Sequence, residues 1–172
     1  MIVMLFIDNH SMEDVDISSI RNGNPGIGGT QYEMFLLASM MLNSFSDTKY
    51  VIALTHRQKG FPSEKCVILD KYDDIFSYCD ANCVDILIMR EKNRFKQIDE
   101  LINTKVIFWI HNFISYEMVK QIGKCKNIKR FIFVSKQHYD YYLEYNLNKK
   151  ASFVFNTLFN VCNCINYATP PA

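Results

Sequence analysis

Polar residues able to do chemistry recur at one kind of place in this 172-residue chain, directly after short apolar runs. Asp8, Asn9 and His10 follow the run 2–7, and His56 and Arg57 follow 50–55. Arg90 and Glu91 follow 85–89, His111 and Asn112 follow 105–110, Ser135 and Lys136 follow 130–134, and Asn156 and Thr157 follow 152–155. After the first run also comes a glycine-rich stretch, Gly23-Asn24-Pro25-Gly26-Ile27-Gly28-Gly29-Thr30-Gln31-Tyr32-Glu33. Glycines at the start of a helix leave backbone amides bare, and such amides suit a phosphate or a sugar hydroxyl. A histidine such as His111 can donate to or accept from a hydroxyl near neutral pH.

Several familiar chemistries do not fit. A dinucleotide fingerprint needs Gly-x-Gly-x-x-Gly directly after the first strand. Here Gly26-x-Gly28-x-x runs into Gln31, and Gly23 stands far from Ile7. The second run ends in His56 and Arg57 rather than in an acidic residue for a ribose. No Gly-Lys-Ser/Thr is present, which excludes a P-loop. The six cysteines, Cys66, Cys79, Cys83, Cys125, Cys162 and Cys164, form no Cys-x-x-Cys pair, so neither a zinc ribbon nor a thioredoxin-like centre is expected. The acidic residues Glu13, Asp14 and Asp16 read as a solvated face. With a net charge of +1 there is no basic footprint for nucleic acid.

The elements that must position these residues are legible from periodicity. The runs 2–7, 50–55, 66–69, 85–89, 105–110, 130–134 and 152–155 read as strands, several of them apolar at consecutive positions. That pattern belongs to parallel strands buried on both faces. Met34, Leu37, Ala38, Met41 and Leu42 mark one face of a helix, with Thr30-x-x-Glu33 as a capping box at its start. Further helices are expected near 73–79, 96–102, 115–122 and 136–145. The alternation predicts an α/β fold, a three-layer Rossmann-like sandwich with a mostly parallel sheet of about seven strands. Ligands of such sheets bind at the carboxyl ends of the strands, where the polar residues above lie. One domain over 1–167 is expected, with 168–172 as a tail or the start of an interdomain linker. The chain start lacks a basic leader, no run approaches a membrane span, and free thiols fit a cytoplasmic protein.

Four ordered features resemble a known family. Gly28-Gly29-Thr30-Gln31 opens a helix after a long loop, similar to a Gly-Gly-x-Glu/Gln turn. Ile107-Phe108-Trp109-Ile110-His111-Asn112 is similar to a fifth strand ending in His. Phe131-Ile132-Phe133-Val134-Ser135-Lys136 is similar to a Val-Ser stretch before a helix, and Val154-Phe155-Asn156 to the strand before the step into a second domain. Together they resemble the N-terminal half of a GT-B glycosyltransferase, in the large retaining family 4.

The resemblance implies roles. Gly28 and Gly29, with Thr30 and Gln31, would lie near the donor phosphate and the acceptor. His111 would be the catalytic contact to the transferred sugar or orient the acceptor, with Asn112 beside it, and Ser135 and Lys136 would border an interdomain cleft. No cofactor or metal is implied; a nucleotide-sugar is the co-substrate, and the acceptor is a glycan or a lipid-linked hydroxyl, which keeps peripheral membrane contact open. A second, donor-binding domain is required and is expected to lie outside this chain, leaving the fragment alone inactive. Gln31 stands where the family often has Glu, and Asn156 is followed by Thr157-Leu158 rather than Gly or Pro. The competing expectation is a non-catalytic flavodoxin-like or receiver-like module. Against a receiver, Asp8 stands alone after the first run, and Asp70 is followed by Lys71 and Tyr72.

Overall fold

The apolar runs pair into one seven-stranded sheet in the order β3-β2-β1-β4-β5-β6-β7. The computed structural model describes residues 1–12, 14–44, 47–143 and 151–153. In chain order the elements are β1 (Ile2–Ile7), α1 (Gly29–Met41), β2 (Lys49–Leu54), β3 (Val67–Ile68), α2 (Asp74–Ala81), β4 (Ile86–Arg90), α3 (Phe95–Glu100), β5 (Lys105–Ile110), α4 (Tyr116–Lys124), β6 (Ile128–Phe133), α5 (Lys136–Leu143) and β7 (Ala151–Phe153). Every strand pairing is parallel, so the expectation of a mostly parallel sheet is met in full. β1 and β2 run level to their carboxyl ends, with Ile7 opposite Leu54. The order reverses at β1, which lies between β2 and β4. That reversal opens the crevice where doubly wound sheets take ligands. Glu13, Asn156, Thr157, Cys162, Cys164 and the tail 168–172 lie outside the described residues, as do Val154 and Phe155 of the expected last strand.

Strand alternation splits the core between two faces. Met4, Phe6, Leu87, Met89, Val106, Phe108, Ile110, Phe131 and Phe133 point to one face, where Ile75, Cys79, Ile98, Val119, Ile122 and Tyr142 from α2 to α5 cover them. Val3, Leu5, Ile7, Ile52, Leu54 and Trp109 point to the other, where among the described residues α1 is the only α-helix contributing buried residues. Parallel sheets are normally covered on both faces. Here the second face carries half-buried Ile86, Ile88, Ile107 and Ile132 over β4 to β6.

α1 departs from expectation in two ways. Its fully buried residues are Met34, Phe35, Leu36, Ala38 and Met41, whereas Leu37 and Leu42 are half-buried. The helix meets the sheet on one side and Phe61 on another, with the Phe35 and Phe61 rings 5.2 Å apart edge to face, so its apolar surface is wider than a single stripe. The Thr30–Glu33 capping box does not form. Gly28 is the N-cap, no side chain caps the helix, and the first turn closes from the Tyr32 amide to the Gly28 carbonyl at 2.9 Å. With the helix starting at Gly29, Thr30 is already inside the first turn, past the position from which a hydroxyl accepts from the next turn's amides.

A buried amide ties the end of β1 to the end of β2. Asn9 is fully buried. Its Nδ2 donates to the His56 carbonyl at 2.9 Å and to Gln58 Oε1 at 3.1 Å. Its Oδ1 accepts from Thr55 Oγ1 at 3.0 Å and from the His56 amide at 2.9 Å. Gln58 passes the connection on, donating through Nε2 to the carbonyls of Met12 (2.9 Å) and Val15 (2.7 Å). Farther along, Ile17 N–H bonds Lys59 O at 3.1 Å. Gly60 packs against this loop at φ +73, where a Cβ would strike Asp16 and the backbone of Ser18. Replacing Asn9 with Ala would strand several buried donors and acceptors, each costing on the order of 1–3 kcal/mol when unpaired. Asn9→Ala should therefore lose about 3 kcal/mol or more in urea unfolding; a loss below ~1 kcal/mol would remove the clamp from its central role.

Candidate functional site

The carboxyl ends of β1, β4 and β5 gather the polar residues expected there. At the switch point Lys92 Nζ reaches Asp8 Oδ2 at 3.4 Å, joining the segments that leave β1 and β4. Tyr72 lies beneath this pair, edge-on to Phe6 at 4.9 Å, with Lys92 and Arg94 5.2 and 5.8 Å from its ring. Burial, followed by the Asp8 charge, pushes the Tyr72 hydroxyl far above the ordinary range, so it stays protonated. In the sequence Tyr72 enters only as a mismatch to a receiver after Asp70, and no local pattern marks it as part of the crevice.

His111 follows β5 on the α1 face, with its ring 5.0 Å from that of Trp109. Arg90 closes β4 and is the register partner of Trp109, which places all three side chains on one patch. Trp109 is 6% exposed and belongs to the cluster that α1 covers. Arg90 Nε, Trp109 Nε1 and His111 Nε2 are buried and have no hydrogen-bond partner among the described residues; the same holds for Glu91 Oε2. Buried polar atoms without partners are uncommon in folded proteins. Burial pushes His111 from 6.5 down to about 4, and the Arg90 charge, with a smaller contribution from His138 when protonated, adds to the shift. The imidazole is neutral at physiological pH, so it acts there as a hydrogen-bonding group and not as a cation. Burial raises the Glu91 carboxyl above its ordinary value.

The loop after β5 is fixed by the neighbouring helices. Tyr142 of α5 uses its hydroxyl twice, accepting from the Ile114 amide at 2.6 Å and donating to the Ile114 carbonyl at 2.9 Å. Ser115 caps α4 through Oγ to the Met118 amide at 3.3 Å. Asn112 is exposed, and its backbone hydrogen-bonds the buried His138. The buried His138 ring lies tilted 4.5 Å from that of Phe113 and 5.1 Å from that of Phe133.

The remaining expected residues divide. Gly28 and Gly29 are exposed at the start of α1. Gly29 has open space around a notional Cβ and an ordinary φ, so the fold itself does not demand glycine there. Beside Gly28 the Gln31 side chain folds back into the space a Cβ would take. Thr30 and Gln31 lie half-buried in the first turn. Ser135 accepts the His138 amide at 3.1 Å and starts α5, and Lys136 pairs with Asp140 one turn on, so both have local structural partners. The His10 and His56 rings lie tilted 5.2 Å apart at the ends of β1 and β2. Asp14-Val15-Asp16 has Asp-x-Asp spacing, and Asp16 is engaged with the Ser18 amide at 2.9 Å, which holds its carboxyl below the usual range. No group of three potential metal ligands gathers among the described residues.

No family model, curated protein or solved structure matches the chain.

The neutral His111 has a measurable consequence. Its folded value lies below the ordinary 6.5, so the unfolded chain takes up the proton first. The stability linked to the neutral ring is complete above pH 6.5 and drains as pH falls toward 4. Glu33 and Glu91, raised by burial, act in the opposite direction, and His138, lowered by burial, acts in the same one. His111→Gln should remove on the order of 2 kcal/mol of the acid-side loss, seen as a flatter unfolding free energy between those pH values. An unchanged profile would mean that the ring is not desolvated.

Proposed function

We propose that this chain is the N-terminal, acceptor-side domain of a retaining glycosyltransferase of the GT-B class. Such an enzyme moves a sugar from a nucleotide-sugar donor to a hydroxyl of a glycan or lipid-linked acceptor. The observation that carries the reading is the neutral His111, held at the carboxyl end of β5 with Nε2 unpartnered. A neutral imidazole there can hydrogen-bond a sugar hydroxyl without placing a cation beside the anomeric carbon, where positive charge develops during transfer. The uncapped start of α1, with Gly28 and Gly29 exposed on the same face of the sheet as Trp109, supplies amides for a hydroxyl or phosphate oxygen.

In this reading the donor-binding half lies outside these residues, and with it the groups that stabilise the departing diphosphate. The domain works in the cytoplasm, with peripheral contact at the inner face of a membrane when the acceptor is lipid-linked. Among the described residues no helix is long and apolar enough to cross a membrane. The competing reading, a flavodoxin-like or receiver-like binding module, has less in its favour. β3 pairs outside β2, giving 3-2-1-4-5-6 rather than 2-1-3-4-5, and Asp8 is committed to Lys92.

The chain alone should bind nucleotide-sugars weakly, with millimolar dissociation by calorimetry; micromolar affinity would overturn the half-site assignment. In the protein joined to its donor-binding half, His111→Ala and Gly29→Val should each lower kcat about tenfold or more, equivalent to ~1.4 kcal/mol of barrier, with folded far-UV spectra. Unchanged turnover in both would remove these residues from the site.

A further inference from the structure

Three buried hydrogen-bond donors without partners share one patch at the ends of β4 and β5. Arg90 Nε and Trp109 Nε1 can only donate. Strand pairing sets Arg90 directly opposite Trp109, and the His111 ring contacts the Trp109 ring at 5.0 Å. None of Arg90 Nε, Trp109 Nε1 and His111 Nε2 is hydrogen-bonded among the described residues. Arg90 also has no ion pair there. The acid closest in sequence, Glu91, interacts with Arg90 through its charge but does not hydrogen-bond Arg90 Nε. Trp109, at 6% exposure, is locked in place by the core beneath α1.

Such an arrangement is costly on its own. A buried donor left unpaired costs on the order of 1–3 kcal/mol. An acceptor-rich anion would relieve all three donors together. The planar guanidinium suits an oxyanion, the indole N–H adds a fixed direction, and His111, in the tautomer protonated at Nε2, completes a donor triad. Arg90 and His111 remain half-exposed around these buried donor atoms.

We propose that Arg90, Trp109 and His111 form a subsite for an oxyanion, a phosphate or carboxylate group of a small-molecule ligand, at the carboxyl end of β4 and β5. The assignment goes beyond sugar transfer: it names a charged group on whatever ligand occupies the crevice, and neither Arg90 nor Trp109 is needed for the proposed function.

Trp109 is the chain's sole tryptophan, so its emission and its indole N–H resonance report on the subsite directly. The whole chain is titrated with inorganic phosphate and, separately, with acetate, against sodium chloride at matched ionic strength. A saturable change in Trp109 emission and a shift of its Nε1–H resonance with phosphate or acetate, and not with chloride, supports the subsite; the stronger of the two identifies the oxyanion. Arg90→Gln should raise the half-saturating concentration at least tenfold, and Arg90→Lys, which keeps charge without the planar donors, should fall between. Responses indistinguishable from chloride, or equal binding by wild type and a folded Arg90→Gln, overturn the proposal. If Arg90→Gln does not fold, the wild-type indole resonance decides alone. A negative titration leaves the glycosyltransferase reading standing, because that reading is tested by nucleotide-sugar affinity and by turnover.

Discussion

Much of the crevice depends on where the chain goes after β1, and that is governed by Asn9. A side-chain amide carries two donor and two acceptor sites, and in Asn9 all four are used by Thr55, His56 and Gln58. Apolar packing alone would bring β1 and β2 together but would leave the polar loop ends free to wander. The amide converts the level ends of the two strands into one rigid edge, and Gln58 extends that edge to the carbonyls of Met12 and Val15. The long excursion between β1 and α1 is thus held by buried polar bonds on its first half. Its second half is organised locally by Asn24, whose Oδ1 accepts from the amides of Gly26 and Ile27 at 2.9 Å each.

The start of α1 follows from this anchoring. The loop delivers Gly28 in an extended conformation, and the helix begins at once, without a side-chain cap. A capped helix would spend its first amides on its own threonine. Gly29 meets no steric demand in the fold, which is unusual for a residue type that weakens helices by roughly 0.5–1 kcal/mol relative to alanine. Either close approach of a ligand to the backbone accounts for it, or nothing in the fold does.

The sheet was legible because parallel strands leave a strong trace: consecutive apolar residues, short length and polar residues at the carboxyl end. Lys105–Ile110 illustrates it, since Val106, Phe108 and Ile110 feed one core and Trp109 the other. The capping box was misread because Thr30-x-x-Glu33 is a local pattern, whereas the helix start is decided by the loop that reaches Gly28. The α1 stripe was misplaced because periodicity assumes one covered side, and Phe61, far away in sequence, covers a second. Asn9 was noted only as a residue after a strand; its partners Thr55 and Gln58 lie more than forty positions away (|i−j| 46 and 49), beyond any local pattern. Trp109 was read as one more apolar position, because periodicity reports that a side chain is buried and is silent on whether its N–H finds a partner.

The electrostatics of the β5 end limit what chemistry it can host. His111 is neutral because burial, with the Arg90 charge beside it, disfavours a further proton. A neutral ring beside the Arg90 guanidinium, whose Nε has no partner among the described residues, makes a site rich in donors. Such a site can orient a ligand and hold negative charge, yet it cannot supply an acid near neutral pH. Burial raises the neighbouring Glu91 carboxyl, and its Oε2 has no hydrogen-bond partner among the described residues.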